Sequence, residues 1–184
     1  MTLSLLMVVP PLLLLFFSKK TILQQRVRRF FKTPHTPEIT ITPIILFIPF
    51  VIGLAGNVGI QGATIIVRGL ATGDIQEDNI AHIVKNEILV GTLNGVIFGV
   101  LCGALISLTA EVLLSADPLL GLVVGTGIVL AVSVASLVGS LTPIIFINLD
   151  IDPAISTGPI ITVANDILGL AIYLVTAKLI LAAF

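Results

Sequence analysis

The sequence predicts an all-α integral membrane protein, a bundle of five transmembrane helices. The 184-residue chain is 57% hydrophobic and only 10% charged, whereas soluble domains are about 45–50% apolar and about 25% charged. Its mean hydropathy is +1.19, which indicates more apolar surface than a soluble fold of this size could cover. The apolar runs are too long for barrel strands, which have about 10 residues and alternate with polar positions. Helices satisfy their own backbone in lipid, so long apolar runs are allowed.

Five apolar segments are candidates for the spans, judged against the roughly 20 residues that cross about 30 Å of hydrocarbon. The first is short and contains Pro10 and Pro11, which break or kink helices. Glu87 and Glu111 bracket the third, whose helix we expect to begin earlier, in residues 79–87, and Pro143 predicts a kink or an end in the fourth. The segments are residues 2–17, about 42–67, 88–110, 119–149 and about 156–184.

Charge divides the chain into two predicted regions. Residues 1–40 comprise the first apolar segment and a basic stretch, residues 18–38, that holds six of the nine Lys and Arg residues. We expect an interfacial helix whose basic side meets lipid headgroups; a partner-docking arm is the alternative. The positive-inside rule places residues 19–32 in the cytoplasm. Residues 41–184 form the predicted transmembrane domain.

Several classes of protein are excluded by composition. The net charge is −1, and no basic face with a nucleic-acid-binding motif is present. Cys102 is the only cysteine, so a disulfide within the chain is impossible. Neither His35 nor His82 neighbours a Ser or Cys motif, and no Gly-rich phosphate loop follows a strand. We therefore expect neither a nucleic-acid-binding protein nor an enzyme.

Small residues predict close helix packing. Glycines recur every four residues in the third segment, at Gly91, Gly95, Gly99 and Gly103, and so form a groove along one face. In lipid such grooves let neighbouring backbones approach closely. The fourth segment repeats the pattern at Gly121, Gly125, Gly127, Ala131, Ala135 and Gly139.

Two amides in the second segment are not explained by packing alone. Asn57 and Gln61 are four residues apart, so both point the same way on a helix. Burying them in hydrocarbon is unfavourable unless they find partners. Hydrogen bonds between helices and the lining of a wet path are both compatible with this spacing.

The fifth segment holds a carboxylate deep in an apolar run. Gly158, Thr162, Asp166, Gly169 and Tyr173 fall on one helical stripe. A charge at such depth costs at least about 2.5–3.5 kcal/mol on insertion scales, and is by default a functional hypothesis. A protonated structural aspartate, a cap for a broken helix and an ion pair with Lys178 are the alternatives. We favour cation handling.

The ligand types around this stripe indicate a hard cation. Carboxylate, carboxamide, hydroxyl and carbonyl oxygens suit Mg²⁺, Ca²⁺ or Mn²⁺. Mg²⁺ releases water reluctantly and typically meets one or two carboxylates through its hydration shell. One Asp166 per chain, doubled by a twofold axis, would supply two carboxylates to one ion. A C2 homodimer follows naturally from that arrangement.

Three ordered motifs resemble the MgtE family of magnesium channels and transporters. They are GNVGIQGATIIVRGLATGDI at residues 56–75, KNEILVGTLNGVIFG at 85–99 and LDIDPAISTGPIITVANDILGLAIYLVTAKLIL at 149–181. The resemblance covers roughly residues 42–184. It implies a homodimer with five helices per chain and a central pore from the second and fifth helices, in the plasma membrane of a prokaryote.

The resemblance also assigns residues. Asp166 matches the pore aspartate that holds a hydrated Mg²⁺, with Mn²⁺ and Co²⁺ as alternative ions. Asn57, Gln61, Thr162 and Asn165 match positions near the path. Typical bacterial members carry a large cytosolic regulatory region, for which this sequence has no room, so the chain is expected to be either a stand-alone transport domain or a part of a longer protein. A separate regulatory or second transport subunit is therefore an expected partner, beside the lipid bilayer. The family places the first loop outside, opposite to the charge rule.

The predicted function is Mg²⁺ transport across the membrane, past Asp166. A carrier coupled to Na⁺ or H⁺, with Asp166 as the titrating relay, is the first alternative. The second alternative is a membrane subunit that only scaffolds a larger complex. This alternative leaves the polar stripes unexplained.

Overall fold

A computed structural model describes residues 38–76, 78–114, 117–156 and 158–183. This part of the chain is helical and contains no strand. The predicted first span, at residues 2–17, and nearly all of the basic stretch lie outside it, so neither prediction is tested. The four helices are α1 at Glu38–Thr72, α2 at Ile80–Leu114, α3 at Leu119–Asn148 and α4 at Pro159–Ala183.

All four helices contain a stretch that is apolar and long enough to cross a bilayer. These stretches have 25 to 31 residues, against the roughly 20 needed. They correspond to the second to fifth predicted segments, so four of the five predicted spans are confirmed as helices of spanning length. The outward face of α2 is exposed and apolar, at Leu89, Leu93, Leu101, Leu105 and Leu108, as expected where lipid is the solvent.

The helix ends bear on two of the predictions. α2 begins at Ile80, within the stretch expected to start this helix, so Glu87, which brackets the predicted apolar span, lies two turns inside the helix. α3 continues through Pro143 to Asn148, as the extent of the fourth predicted segment requires, so of the two predicted effects of Pro143 the end of the helix is not realised. Pro143 is buried, and the packing around α3 holds the helix together where propensity alone would break it.

α3 lies at the centre of the bundle and packs against the other three helices. A Cβ at Gly139 would overlap the Gly59 carbonyl, and Gly62 faces Ser140, so α1 and α3 run parallel. On α2, Gly103 faces Gly121.

The remaining neighbours of α3 run the other way. On α2, Gly91 lies against Ser136, further along α3 than the partner of Gly103. On α4, Asn165 lies beside Ala135, and Tyr173 fills the space at Gly127. α2 and α4 are therefore both antiparallel to α3. The beginning of α4 and the beginning of α2 lie at the same end of the bundle.

The predicted glycine groove of α2 is confirmed, and it receives α3. A Cβ at Gly103 would stand 2.9 Å from the Gly121 carbonyl oxygen, and one at Gly125 would stand 2.7 Å from the carbonyl oxygen of Gly99. These backbones cannot shift cheaply, because each belongs to a helix. Packing of small residues therefore sets the distance between α2 and α3.

The α1–α2 loop and the α3–α4 loop both lie at the end of the bundle where α4 begins. Both loops are short and are stabilised by local contacts. In the α1–α2 loop, Gly73 has φ +79° and Ile75 turns back onto Gly69, joining a small core with Ile66 and Val84. Between α3 and α4, a 3₁₀ turn at Pro153–Ser156 starts where the Asp152 carboxylate accepts a 2.9 Å hydrogen bond from the Ala154 amide. These contacts fix the position at which α4 begins.

Candidate functional site

Asp166 lies at the seam between α1 and α4. A Cβ added at Gly56 would stand 3.6 Å from its Oδ1 atom, so the carboxylate rests against the bare backbone of α1. The side chain is half-buried. Within the described part of the chain, no hydrogen bond or ion pair engages it. The carboxylate is therefore held close to α1 without a neutralising partner.

Two of the alternative roles for Asp166 find no support in this geometry. α4 is continuous from Pro159 to Ala183, so Asp166 does not cap a broken helix. Asp166 forms no ion pair with Lys178 in the described structure. A protonated structural aspartate and a cation ligand are the roles left open.

Two further residues of the predicted α4 stripe also face α1. A Cβ at Gly169 would stand 3.4 Å from the Cβ of Ala55. The hydroxyl of Tyr173 donates a 3.0 Å hydrogen bond to the backbone carbonyl of Ile44. Thr162 is half-buried and donates to the Gly158 carbonyl within its own helix at 3.2 Å. The prediction of one stripe is confirmed in that Asp166, Gly169 and Tyr173 meet the same helix.

Asn57 and Gln61 are both exposed on α1. Asn57 directly follows the glycine against which Asp166 rests, so it lies at the same level of α1 but about 100° further round the helix. Neither amide forms a hydrogen bond within the described residues, so the alternative in which they join helices of one chain is not realised here. The two amides instead give α1 an open polar face.

Asn165, although adjacent to Asp166 in sequence, points into the protein. It is fully buried, between Gly59 of α1 and Ala135 of α3. Neither Oδ1 nor Nδ2 has a hydrogen-bond partner among the described residues. The structure therefore separates Asn165 from the open face on which Asn57 and Gln61 lie.

One polar residue near this face was missed by sequence reasoning. Glu87 lines a narrow cleft between α1 and α2, together with Gln61 and Asn94. Glu87 was interpreted only as the residue that borders the third apolar segment, so its place in a cleft was not predicted. Its spacing to Gly91 and Asn94, i, i+4 and i+7, places all three on one helix face and could have revealed the cleft.

A single chain supplies an incomplete set of ligands for a metal ion. No group of three or more His, Cys, Asp and Glu side chains comes together among the residues that the structure describes. The seam offers one carboxylate, Asp166, while Thr162 lies one turn before it on α4 and Asn57 lies on the exposed side of α1. Such a set suits an ion that keeps most of its water, or a site completed by another chain.

Comparison with known proteins identifies similar chains. The profile of the MgtE family, described as divalent cation transporter, matches residues 48–176. The magnesium transporter MgtE of Thermus thermophilus is 36% identical over 143 residues, which is 78% of this chain and 30% of that protein.

Two further magnesium transporters named MgtE match the same portion of the chain. The protein of Bacillus subtilis is 32% identical over 133 residues, covering 72% of this chain and 28% of that protein. The protein of Enterococcus faecalis is 33% identical over 141 residues, covering 77% of this chain and 30% of that protein. The chain thus spans about 30% of the length of these relatives.

Proposed function

The chain belongs to the MgtE family of divalent cation transporters, and from that premise we propose that it conducts Mg²⁺ across the cell membrane, past Asp166. It is a multi-pass membrane protein of a transporter family, not an enzyme. The transported ion is the substrate. Mn²⁺ and Co²⁺ are the alternative transported ions, and flux measured with each ion would rank the three.

The observation that supports the proposal most directly is the contact between Asp166 and Gly56. Because glycine has no side chain, the carboxylate stays close to α1 yet remains accessible at its half-buried position. An uncompensated charge in a spanning helix is unfavourable in free energy. A hydrated cation would compensate the charge while keeping the water that Mg²⁺ holds firmly.

We propose that the complete path forms at the twofold axis of a homodimer of five-helix chains, with α1 and α4 of each copy lining it. The open polar face of Asn57 and Gln61 supports this arrangement, because exposed amides are unfavourable in lipid. Thr162 lies one turn from Asp166 on the same stripe and would meet the hydration shell. Asn165 would pack behind Asp166, buried between Gly59 and Ala135, without contacting the ion. A separate regulatory or second transport subunit is a further proposed partner.

Asp166→Asn tests the central assignment. The amide keeps the shape of the side chain but not its charge, so Mg²⁺ flux into proteoliposomes should be lost while the protein elutes as a folded dimer in detergent. Asp150→Asn is the matched control, since Asp150 is exposed in the α3–α4 loop with φ 58°, a conformation that asparagine also tolerates. Unchanged flux in the Asp166 variant would remove the assignment.

The same vesicles separate the alternatives. Under a clamped proton gradient, a pore gives flux that follows the Mg²⁺ gradient alone. A carrier coupled to H⁺ or Na⁺ gives flux that changes with the second gradient. A scaffold subunit gives no flux from the purified wild-type chain.

A further inference from the structure

Asp166 meets α1 from α4, whereas a polar cleft lies between α1 and α2. Its lining includes Gln61 of α1, Glu87 and Asn94 of α2, and Ser136 of α3. Water-sized spheres can be centred in only about 10 Å³ of this partly open space, which is the lower limit for holding one water molecule. The cleft is therefore large enough for a single small occupant, with an exposed edge at Gln61.

Glu87 is the charged group of this cleft, and it has no partner in the described structure. Its helix spans Ile80–Ala110 as a candidate membrane segment, and the side chain is half-buried. No hydrogen bond or ion pair engages the carboxylate. An unpaired carboxylate at such a position is unfavourable unless a cation, water or a proton compensates it.

The surroundings of Glu87 provide oxygen ligands, and no Lys, Arg or His is among the described residues that line the cleft. The amides of Gln61 and Asn94 each offer a carbonyl oxygen, and neither amide has a hydrogen-bond partner among the described residues. The Ser136 hydroxyl is committed elsewhere, because it donates a 3.1 Å hydrogen bond to the Glu87 backbone carbonyl. That bond fixes α2 against α3 and so holds the cleft open toward Gln61.

The position of the cleft connects it to the proposed path. A Cβ at Gly91 would stand 3.1 Å from Val58 Cγ1, which sets Glu87, one turn earlier on α2, beside the turn of α1 that holds Gln61. Asp166 rests on Gly56 of the same helix. The open polar face of α1 thus has a carboxylate on each flank, at neighbouring turns.

We propose that Gln61, Glu87 and Asn94 form a second site for a divalent cation, beside the path and distinct from Asp166. The carboxylate and two amide oxygens replace part of the water shell of the ion, and the exposed edge at Gln61 leaves room for the remaining waters. Gln61 belongs to both the open face and the cleft, so it is the point at which an ion passes between the two. The identity of the ion rests on the proposed function.

Carbodiimide modification tests the site without measuring transport. Dicyclohexylcarbodiimide modifies carboxyl groups in apolar surroundings, and mass spectrometry of the purified full-length chain reports the modification at Glu87. With Mg²⁺ at about ten times its dissociation constant, mass action predicts modification about tenfold slower. Na⁺ at equal ionic strength is the control. No slowing by Mg²⁺, or equal slowing by Na⁺, overturns the proposal.

Two variants separate this proposal from the proposed function. In Asp166→Asn, Mg²⁺ should still protect Glu87, whether or not flux is lost, since the second site does not use Asp166; loss of protection there would show one shared site and overturn the inference. Asn94→Leu keeps the Glu87 carboxylate but removes one oxygen ligand. In this variant, the Mg²⁺ concentration that halves the rate of Glu87 modification should rise about tenfold, equivalent to about 1.4 kcal/mol. An unchanged concentration would show that Asn94 is not a ligand and overturn the proposed site.

Discussion

The hydroxyl of Tyr173 donates a hydrogen bond to the backbone carbonyl of Ile44, with 3.0 Å between the two oxygens. Both residues are fully buried, and the ring occupies the space left by Gly127 of α3. Tyr173 lies seven residues, about two helical turns, beyond Asp166. This single side chain therefore ties α4 to α1 and α3 on the same stripe that presents the carboxylate.

Tyr173→Phe should lower stability without removing transport. The ring still fills the space at Gly127, but the bond to Ile44 is lost, and hydrogen bonds between membrane helices contribute about 0.6 kcal/mol on average and at most about 1.7 kcal/mol. Thermal unfolding in detergent measures the change. Thr126→Val is the control, since that hydroxyl bonds only within its own helix, most closely to Leu122. Lost flux at unchanged stability would contradict this role.

Gly56→Ala should reduce Mg²⁺ flux in a protein that still folds. The added Cβ would stand 3.6 Å from Asp166 Oδ1, which is an ordinary van der Waals contact, so α1 and α4 need not separate. The methyl group would nevertheless displace water from one side of the carboxylate. Flux in proteoliposomes and elution volume in detergent together check the prediction.

Gly59→Ala is the contrasting variant on the same helix. Its Cβ would overlap Asn165 Nδ2 and stand 3.0 Å from the Ala135 carbonyl oxygen, and neither neighbour can move freely because both are buried. Overpacking of this kind typically costs about 1–3 kcal/mol. We expect unfolding at a lower temperature for Gly59→Ala than for Gly56→Ala. Equal unfolding temperatures would argue against the packing of α1 on α3 and α4.

Hydropathy and glycine spacing predicted much of this fold, because both act along single helices. The length of an apolar run is fixed by the bilayer, so α1 to α4 could be located from sequence. Helix ends were less predictable from hydropathy alone. The start of α2 at Ile80 lies in a mixed-charge stretch outside the apolar span, although it was expected within residues 79–87. Pro143 lies inside α3 because contacts with three helices outweigh its poor propensity.

The candidate site was predictable only where its chemistry is local. Asp166 was found because a charge in a spanning run is costly wherever its helix packs. The direction in which Asn165 points depends on which helices lie beside α4, and sequence spacing alone gave no information on that. Glu87 was missed for a similar reason, since its relation to Gln61 arises from the register of α2 against α1.

Gly125→Ala should destabilise the contact between α2 and α3. Its Cβ would stand 2.7 Å from the Gly99 carbonyl oxygen, and a backbone atom cannot rotate out of the way. Gly158→Ala is the control, because no heavy atom lies within 4 Å of the added carbon. We expect the Gly125 variant to unfold at a clearly lower temperature in detergent and the Gly158 variant to match the wild type. Similar values for both would show that this groove is not a close contact.

Asn165→Leu separates a packing role from a ligand role for that amide. Both polar atoms of Asn165 are buried without hydrogen-bond partners among the described residues, and leaving such a group unsatisfied costs about 1–3 kcal/mol. Leucine has a similar shape and needs no partner, so the variant should be as stable as the wild type or more stable in thermal unfolding, with Mg²⁺ flux retained. Asn165→Ala is the control, because it also removes the amide but leaves a cavity between Gly59 and Ala135 and should be less stable. Loss of flux in the leucine variant at full stability would instead make Asn165 a ligand of the ion, reached only after α4 turns its buried face toward the open side of α1.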